Sequence, residues 1–231
     1  MITIRKAGQR GHTHFGWLDS RHSFSFGDYY DPAHMGFSVL RVINDDEVAP
    51  TSGFGIHPHR DMEILTYVTQ GAVEHRDSIG THGVIPAGEV QIMSAGTGIQ
   101  HSEMNPSPSQ PLRLLQIWIL PNAQGLRPRY EQRPLPRADH DGFVLVASPD
   151  GHDGSLTIHQ DATIGAVLLK KAASVSRALA PSRKAYVQMV RGGLILNGHP
   201  MGPGDGAEIT SEEKITFDAT DDAELLLFDL P

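Results

Sequence analysis

The feature that most constrains this chain is a pair of short steps, His57-Pro58-His59 and His101-Ser102-Glu103. Each step has metal-binding types of side chain at positions i and i+2, and on a β-strand such residues point to the same face. Two such strands facing each other would offer three imidazoles and one carboxylate to a single ion. That set suits iron, manganese, nickel, copper or zinc, so the sequence predicts a metal site built on β-strands.

The composition limits what kind of protein can carry this site. The 231 residues are 39% hydrophobic, enough for the core of one large or two small domains. Cysteine is absent, so disulfides and thiolate ligands are excluded and the ligands must be nitrogen and oxygen atoms. The net charge of −8 argues against a general attraction to nucleic acid. The N-terminus opens in strand-like sequence and no window is apolar enough to span a membrane, so we expect a cytoplasmic protein.

Glycine and proline separate many short β-rich runs, which predicts an all-β barrel or sandwich. The nearly apolar run 112–120 is typical of a strand buried on both sides in a closed barrel. Residues 121–142 are rich in proline and charge, and we expect them to form a surface linker between two domains. Residues 203–206 weakly echo residues 86–89, which suggests an internal duplication, although the second half contains no His-x-His step.

The sequence around the histidines resembles the two motifs of the cupin family, His-x-His followed by Glu and Gly, then Pro-x-Gly followed by His. Longer stretches are similar to bacterial pirins, which are proteins with two cupin domains. The resemblance is dense over residues 1 to about 135 and loose beyond them. The stretches that carry it are residues 21–26, 36–37, 40–46, 57–60 and 93–103.

The resemblance implies an all-β fold of two tandem cupin barrels, that is, double-stranded β-helices of the jelly-roll type. Residues 1–135 would form the N-terminal cupin with the metal site, and residues 136–231 a C-terminal cupin without one. The metal ligands would be His57, His59, His101 and Glu103, with Glu103 also acting as general base. We expect one divalent transition metal, with iron as the first choice and manganese, nickel, copper, zinc and cobalt as alternatives.

Glu63 is the rival carboxylate ligand. It occupies the position that the general cupin pattern uses, and on a straight strand it would share a face with His57 and His59. The pirin pattern uses Glu103 instead, and that choice needs no assumption about a straight strand. We therefore expect Glu103 to be the ligand, and Glu63 to accept a hydrogen bond that fixes the tautomer of a ligating imidazole.

The other histidines and several aromatic residues permit two interpretations each. His75 and His82 flank a short turn and are expected to be exposed. Four N-terminal histidines are expected to be surface or pocket-lining residues, the alternative being a second metal site; they are His12, His14, His22 and His34. Four aromatic residues either line the pocket or belong to the core; they are Trp17, Phe24, Phe26 and Phe54.

The resemblance to pirins also implies quercetin 2,3-dioxygenase activity, in which a flavonol ring is opened by O₂ with loss of carbon monoxide. The expected partners are a flavonol-like aromatic substrate and O₂, with no direct nucleic-acid or membrane partner, and the expected state is a monomer. Two alternatives stay open. One is a metal- and redox-dependent regulatory protein that binds a protein partner; the other is a cupin that binds a small ligand without turning it over.

Overall fold

The computed structural model describes residues 1–135 and 142–231. Within these ranges the regular structure is almost entirely β-strand, and the only helical segments are two three-residue 3₁₀ helices, Ala7–Gln9 and His152–Gly154. The expectation of an all-β fold is therefore confirmed. No helix in the described ranges has the length and apolar character needed to cross a membrane.

The strands are numbered in chain order. They are β1 (Ile2–Arg5), β2 (Gly11–His14), β3 (Leu18–His22), β4 (Leu40–Val48), β5 (Gly53–His59), β6 (Glu63–Gln70), β7 (Ala72–Asp77), β8 (His82–Pro86), β9 (Glu89–Ser94), β10 (Ile99–Met104), β11 (Leu112–Ile119), β12 (Arg129–Pro134), β13 (Gly142–Ser148), β14 (Leu156–Thr157), β15 (Thr163–Leu169), β16 (Ser174–Ala178), β17 (Lys184–Arg191), β18 (Leu194–Leu196), β19 (His199–Met201), β20 (Gly206–Thr210), β21 (Lys214–Ala219) and β22 (Ala223–Leu230).

Contacts divide the chain into two compact units. The N-terminal unit comprises residues 11–135 and 156–160. It contains a larger sheet of order β12-β9-β6-β11-β4-β3-β2 and a smaller sheet of order β5-β10-β7-β8. The apolar run after Pro111 forms β11, as expected, and six of its eight residues are buried. Strand β11 lies in the middle of the larger sheet, between β4 and β6, so its neighbours complete its backbone hydrogen bonding on both sides.

The C-terminal unit comprises the described residues 142–155 and 161–231 together with residues 1–10. It repeats the same plan, with one sheet of order β1-β20-β17-β22-β15-β13 and a second of order β16-β21-β18-β19, in line with the weak sequence echo. Its core is an apolar cluster that includes Val187, Leu225 and Phe217. Strand β1 belongs to this unit because it pairs antiparallel with β20, a long-range contact that no local pattern in the sequence signals.

The expected linker of residues 121–142 is partly wrong, because residues 129–134 form β12 and pair with β9 at the edge of the larger sheet. The segment lacks the apolar alternation of a half-buried strand, and its charged residues suit an edge strand instead. The expected domain boundary between residues 135 and 136 adjoins residues 136–141, which lie outside the described residues, and it stays a prediction.

Candidate metal centre

The structure brings His57, His59 and His101 together. His57 and His59 lie on β5 and His101 on β10, and the two antiparallel strands place His101 opposite His57. Their ligand atoms lie within 4.8 Å of one another, and the Nε2 atoms of His57 and His101 are 3.0 Å apart. The i, i+2 step on β5 therefore turns both of its imidazoles toward the imidazole of the facing strand.

The lowered pKa values of His59 and His101 fit a bound cation. Burial, followed by the nearby His57, lowers the pKa of His59 to about 4, and burial with the surrounding imidazoles lowers the pKa of His101 to about 2. His57 Nδ1 lies 2.7 Å from the carbonyl oxygen of Gly55 and can only donate to it. The lone pair of His57 is then on Nε2, the atom that faces His101. Neutral imidazoles that converge in this way are the ligands that first-row divalent metals take, so the donor set fits a divalent metal ion.

Glu103 is buried beside this cluster and is held by three donors from the larger sheet. Its Oε1 accepts hydrogen bonds from Thr66 Oγ1 at 2.9 Å and Gln91 Nε2 at 2.7 Å. Its Oε2 accepts one from Gln116 Nε2 at 2.6 Å. Because an ionised carboxylate has about four acceptor positions, one position on Oε2 is left for a ligand or a proton.

The structure does not place all four expected ligands in one tight group. Glu103 groups with His101 and with an unexpected residue, His75, while His57 and His59 group with His101. The register explains this offset: His57 and His59 pair with His101 and Ile99, whereas Glu103 lies two positions further along β10, opposite His75 on β7. All four expected ligands nevertheless line one cavity. Their binding of a common ion stays a prediction.

His75 is a further residue of the site, and the expectation that it is exposed is wrong. It is fully buried on β7, where the register with β10 sets it opposite Glu103. Its Nε2 lies 3.0 Å from Asp77 Oδ2 and its Nδ1 lies 3.5 Å from His101 Nδ1. A sequence signal for this burial does exist. In β7 the residues at every second position, Val73, His75 and Asp77, share one face, and polar Glu74 lies on the other. His82, by contrast, is exposed as expected.

Glu63 lies outside the histidine cluster, so its expected bond to a ligating imidazole is not formed. It is buried on β6, and its carboxylate accepts hydrogen bonds from Ser94 Oγ at 2.9 Å and the His159 backbone at 3.2 Å. The reason is that the chain turns between β5 and β6, where Asp61 has a φ of 48°. The straight strand that would have placed Glu63 on the face of His57 therefore does not exist.

A cavity of about 290 Å³ adjoins the histidines. Of the four aromatic residues considered above, Trp17, Phe26 and Phe54 line it, while Phe24 is buried and does not. Trp118 also lines it and meets the His59 ring edge-on, with 4.9 Å between ring centroids. His22 lines the cavity too, and no group of metal-type ligands among the described residues contains an N-terminal histidine.

Polar side chains form one row across the larger sheet beneath this cavity. The row consists of residues paired directly between adjacent strands β3, β4, β11, β6 and β9, namely His22, Asn44, Gln116, Thr66 and Gln91. His22 Nδ1 lies 2.7 Å from Asn44 Oδ1, and the last three residues are the donors to Glu103. This row supplies hydrogen bonds to the buried Glu103 carboxylate, which lies on the smaller sheet. Without these donors, burial of the carboxylate would be strongly unfavourable.

Asp46 is a second buried carboxyl in the cavity wall, next along β4 on the same face as Asn44. Burial, with smaller contributions from Asp45 and Glu103, raises its pKa from 3.8 to about 7, against the lowering effect of a hydrogen bond from Ser20. Its Oδ1 has no hydrogen-bond partner. No pattern in the sequence indicates a role for this residue.

The fold and the site define a protein with two cupin units, of which the N-terminal one carries the histidine cluster. Sequence comparison agrees: the Pirin family matches residues 3–119 and the family described as "Quercetinase C-terminal cupin domain" matches residues 145–230. The chain belongs to the pirin family.

Individual relatives match along the whole chain. It is 54% identical to a protein of Escherichia coli K12 named quercetin 2,3-dioxygenase, over 100% of this chain and 99% of that one. It is 43% identical to a pirin-like protein of Caulobacter vibrioides, over 99% of each. The crystal structure of the bacterial pirin YhhW from E. coli in complex with nickel(II) superposes with a TM-score of 0.96 at 53% identity, covering 100% of this chain and 99% of that one.

Proposed function

We propose that this protein is a metal-dependent dioxygenase that opens the central ring of a flavonol such as quercetin. Both atoms of O₂ enter the ring-opened ester, two carbon–carbon bonds break, and the carbon of the 3-hydroxyl leaves with its own oxygen as carbon monoxide. The observation that carries this proposal is the cluster of three converging histidines, with Glu103 beside it, opening into one aromatic-lined cavity. The names of the relatives at 54% identity support the same activity.

His57, His59, His101 and Glu103 would hold the metal. When bound, a divalent cation supplies Lewis acidity that stabilises the deprotonated 3-hydroxyl and, for a redox-active ion, an electron path to O₂. We propose iron as the first candidate, and the nickel complex of the related E. coli pirin makes nickel the next.

Glu103 is the proposed general base. Its Oε2 has one acceptor position that the hydrogen bond from Gln116 leaves open. Glu103 would use this position for the metal before substrate binds and for the proton of the 3-hydroxyl once substrate is in place. Thr66 and Gln91 hold the other oxygen, Oε1, so the carboxylate cannot rotate without breaking two hydrogen bonds. The row of polar side chains therefore orients the base before the substrate arrives.

The aromatic residues of the cavity would bind the flat rings of the substrate and exclude water. Trp17, Phe26, Phe54 and Trp118 all line it. A volume of about 290 Å³ is at the small end of ligand pockets, which suits a compact, planar three-ring molecule.

The test is turnover of quercetin by metal-loaded protein in air, with detection of carbon monoxide and of the ring-opened product. Glu103→Gln keeps the shape of the side chain and removes its charge and its basicity, so we expect most of the metal to remain and the rate to fall at least 100-fold, the usual range for loss of a general base. Glu63→Gln is the matched control. It replaces another buried glutamate outside the histidine cluster and should keep metal content and rate within about threefold, well inside the 100-fold effect expected for Glu103.

Two results would overturn the proposal. Wild-type protein that binds quercetin without releasing carbon monoxide would favour a ligand-binding cupin. A Glu63→Gln variant that loses its metal while Glu103→Gln stays loaded and active would show that the general cupin arrangement holds here. Metal analysis of protein purified without a polyhistidine tag accompanies both measurements and identifies the ion.

A further inference from the structure

Asp46 is a buried acid that the reaction proposed above does not use. It is 2% exposed and lies on β4 in the cavity wall. Ser20, directly opposite it on β3, donates a hydrogen bond to its carboxyl, while Oδ1 has no partner. A buried carboxyl oxygen without a hydrogen bond is unfavourable, and such an atom in a cavity wall indicates a place where a ligand supplies the missing donor.

The position of Asp46 along the sheet fits a ligand that is anchored at the histidines. Trp118 on β11 contacts His59, and the residue opposite Asp46 is Leu114, four positions back along β11. At about 3.3 Å per residue, these two points of the wall are roughly 13 Å apart along the strand. A planar aromatic molecule with one end at the histidines would extend along the cavity toward Asp46.

Apolar side chains adjoin Asp46 on the sides away from Ser20 and Asn44. Leu18 and Phe54 line the cavity, and Leu114 is in direct register with Asp46. All three belong to or pack against one apolar cluster of the N-terminal unit. A buried acceptor atom without a partner beside apolar side chains discriminates strongly between ligands, because a ligand without the matching donor leaves Asp46 Oδ1 buried and unpaired.

We infer that Asp46, supported by Ser20, forms a subsite that binds a phenolic hydroxyl of the substrate remote from the hydroxyl that meets the metal. The hydroxyl donates a hydrogen bond to Asp46 Oδ1, and no covalent bond is made or broken. This inference rests on the proposed function and adds to it a preference for flavonols hydroxylated on an outer ring. Asp46 is therefore assigned to substrate selection and not to the chemical steps.

The test compares the binding of two flavonols under argon, where no turnover occurs. Quercetin has hydroxyls on both outer rings, and 3-hydroxyflavone has only the hydroxyl proposed to meet the metal. Both tryptophans of the chain, Trp17 and Trp118, line the cavity, so quenching of their fluorescence reports occupancy directly. At pH 8, where the Asp46 carboxyl is ionised, we expect Asp46→Leu to raise the dissociation constant of quercetin about 10- to 100-fold, the range for losing a hydrogen bond to a charged group. That of 3-hydroxyflavone should change by less than about threefold, since it makes no such bond.

Two further variants keep the result interpretable. Asp46→Asn preserves the shape and a weaker acceptor, and should show a smaller loss for quercetin even if Asp46→Leu folds poorly. Glu47→Gln, on the same strand with its side chain on the other face and beside Arg113, should leave both affinities unchanged. Galangin, which has outer-ring hydroxyls on the fused ring alone, identifies which ring reaches Asp46.

The outcomes separate this inference from the proposed function. If wild type binds both flavonols and neither Asp46 variant alters their ratio, the subsite is wrong while flavonol binding stands. Equal weakening of both ligands in both variants would likewise overturn it, because it would indicate a general disturbance of the cavity. If metal-loaded wild type binds neither flavonol, the proposed function fails and the subsite fails with it.

Discussion

The raised pKa of Asp46 predicts how the stability of the N-terminal unit depends on pH. Burial raises this pKa from 3.8 to about 7, so the folded protein keeps a proton that the unfolded chain releases between about pH 4 and 7. The free energy of unfolding therefore decreases as the pH rises through that window. Above the window, this loss of stability is constant. The asparagine side chain of the Asp46→Asn variant does not titrate, so the variant should not show this decrease in the free energy of unfolding.

The magnitude follows from the two pKa values. One pH unit of pKa difference corresponds to about 1.4 kcal/mol, so the full penalty in wild type is about 4 kcal/mol above pH 7. Between pH 5 and pH 8 the penalty grows by about 2–3 kcal/mol, because part of it is already present at pH 5. The free energy of unfolding of Asp46→Asn should rise relative to wild type by that amount over this interval, added to any offset that is independent of pH.

The assay is urea unfolding of chelator-treated wild type and Asp46→Asn at pH 5, 6, 7 and 8, followed by tryptophan fluorescence. Trp17 and Trp118 both lie in the N-terminal unit, so the signal reports on that unit. Val48→Ala is the matched control: it shortens a buried apolar side chain two positions along β4 and should destabilise the unit equally at every pH. A difference between Asp46→Asn and wild type that is the same at pH 5 and pH 8 would refute the reasoning.

Two further predictions concern the geometry of the histidine cluster. Gly53→Ala should lower both metal affinity and thermal stability, because its new Cβ would collide with the Glu103 carbonyl oxygen where β5 meets β10. Gly55→Ala is the control: its Cβ would point into open space, so metal affinity and thermal stability should not change. His75→Gln should reduce metal affinity about tenfold or more, as measured by competition with a chelator, since His75 links Asp77 to His101. The exposed His82→Gln serves as its control, and equal affinities in the two histidine variants would exclude a positioning role for His75.

The parts of the site that were predictable are those set by local geometry. The steps at His57 and His101 depend only on the two-residue period of a strand, and each put its side chains on the expected face. His75 and Asp46 were missed because their burial depends on which strands pair and in what register, as β7 does with β10. The assumed role of Glu63 failed for a related reason, since one turn at Asp61 changes the face on which all later residues lie.

The pairing of β1 with β20 has a consequence for how the protein is made. Met1 and Thr210, whose backbones are joined by a hydrogen bond next to this pairing, are 209 residues apart in sequence. At about 5–20 residues per second, the ribosome delivers the partner of the first strand roughly 10–40 s after that strand emerges. Residues 11–135 can fold during that interval, while β1 has no strand to pair with. In nascent chains, residues 11–135 should therefore become protected from protease long before residues 1–10 do.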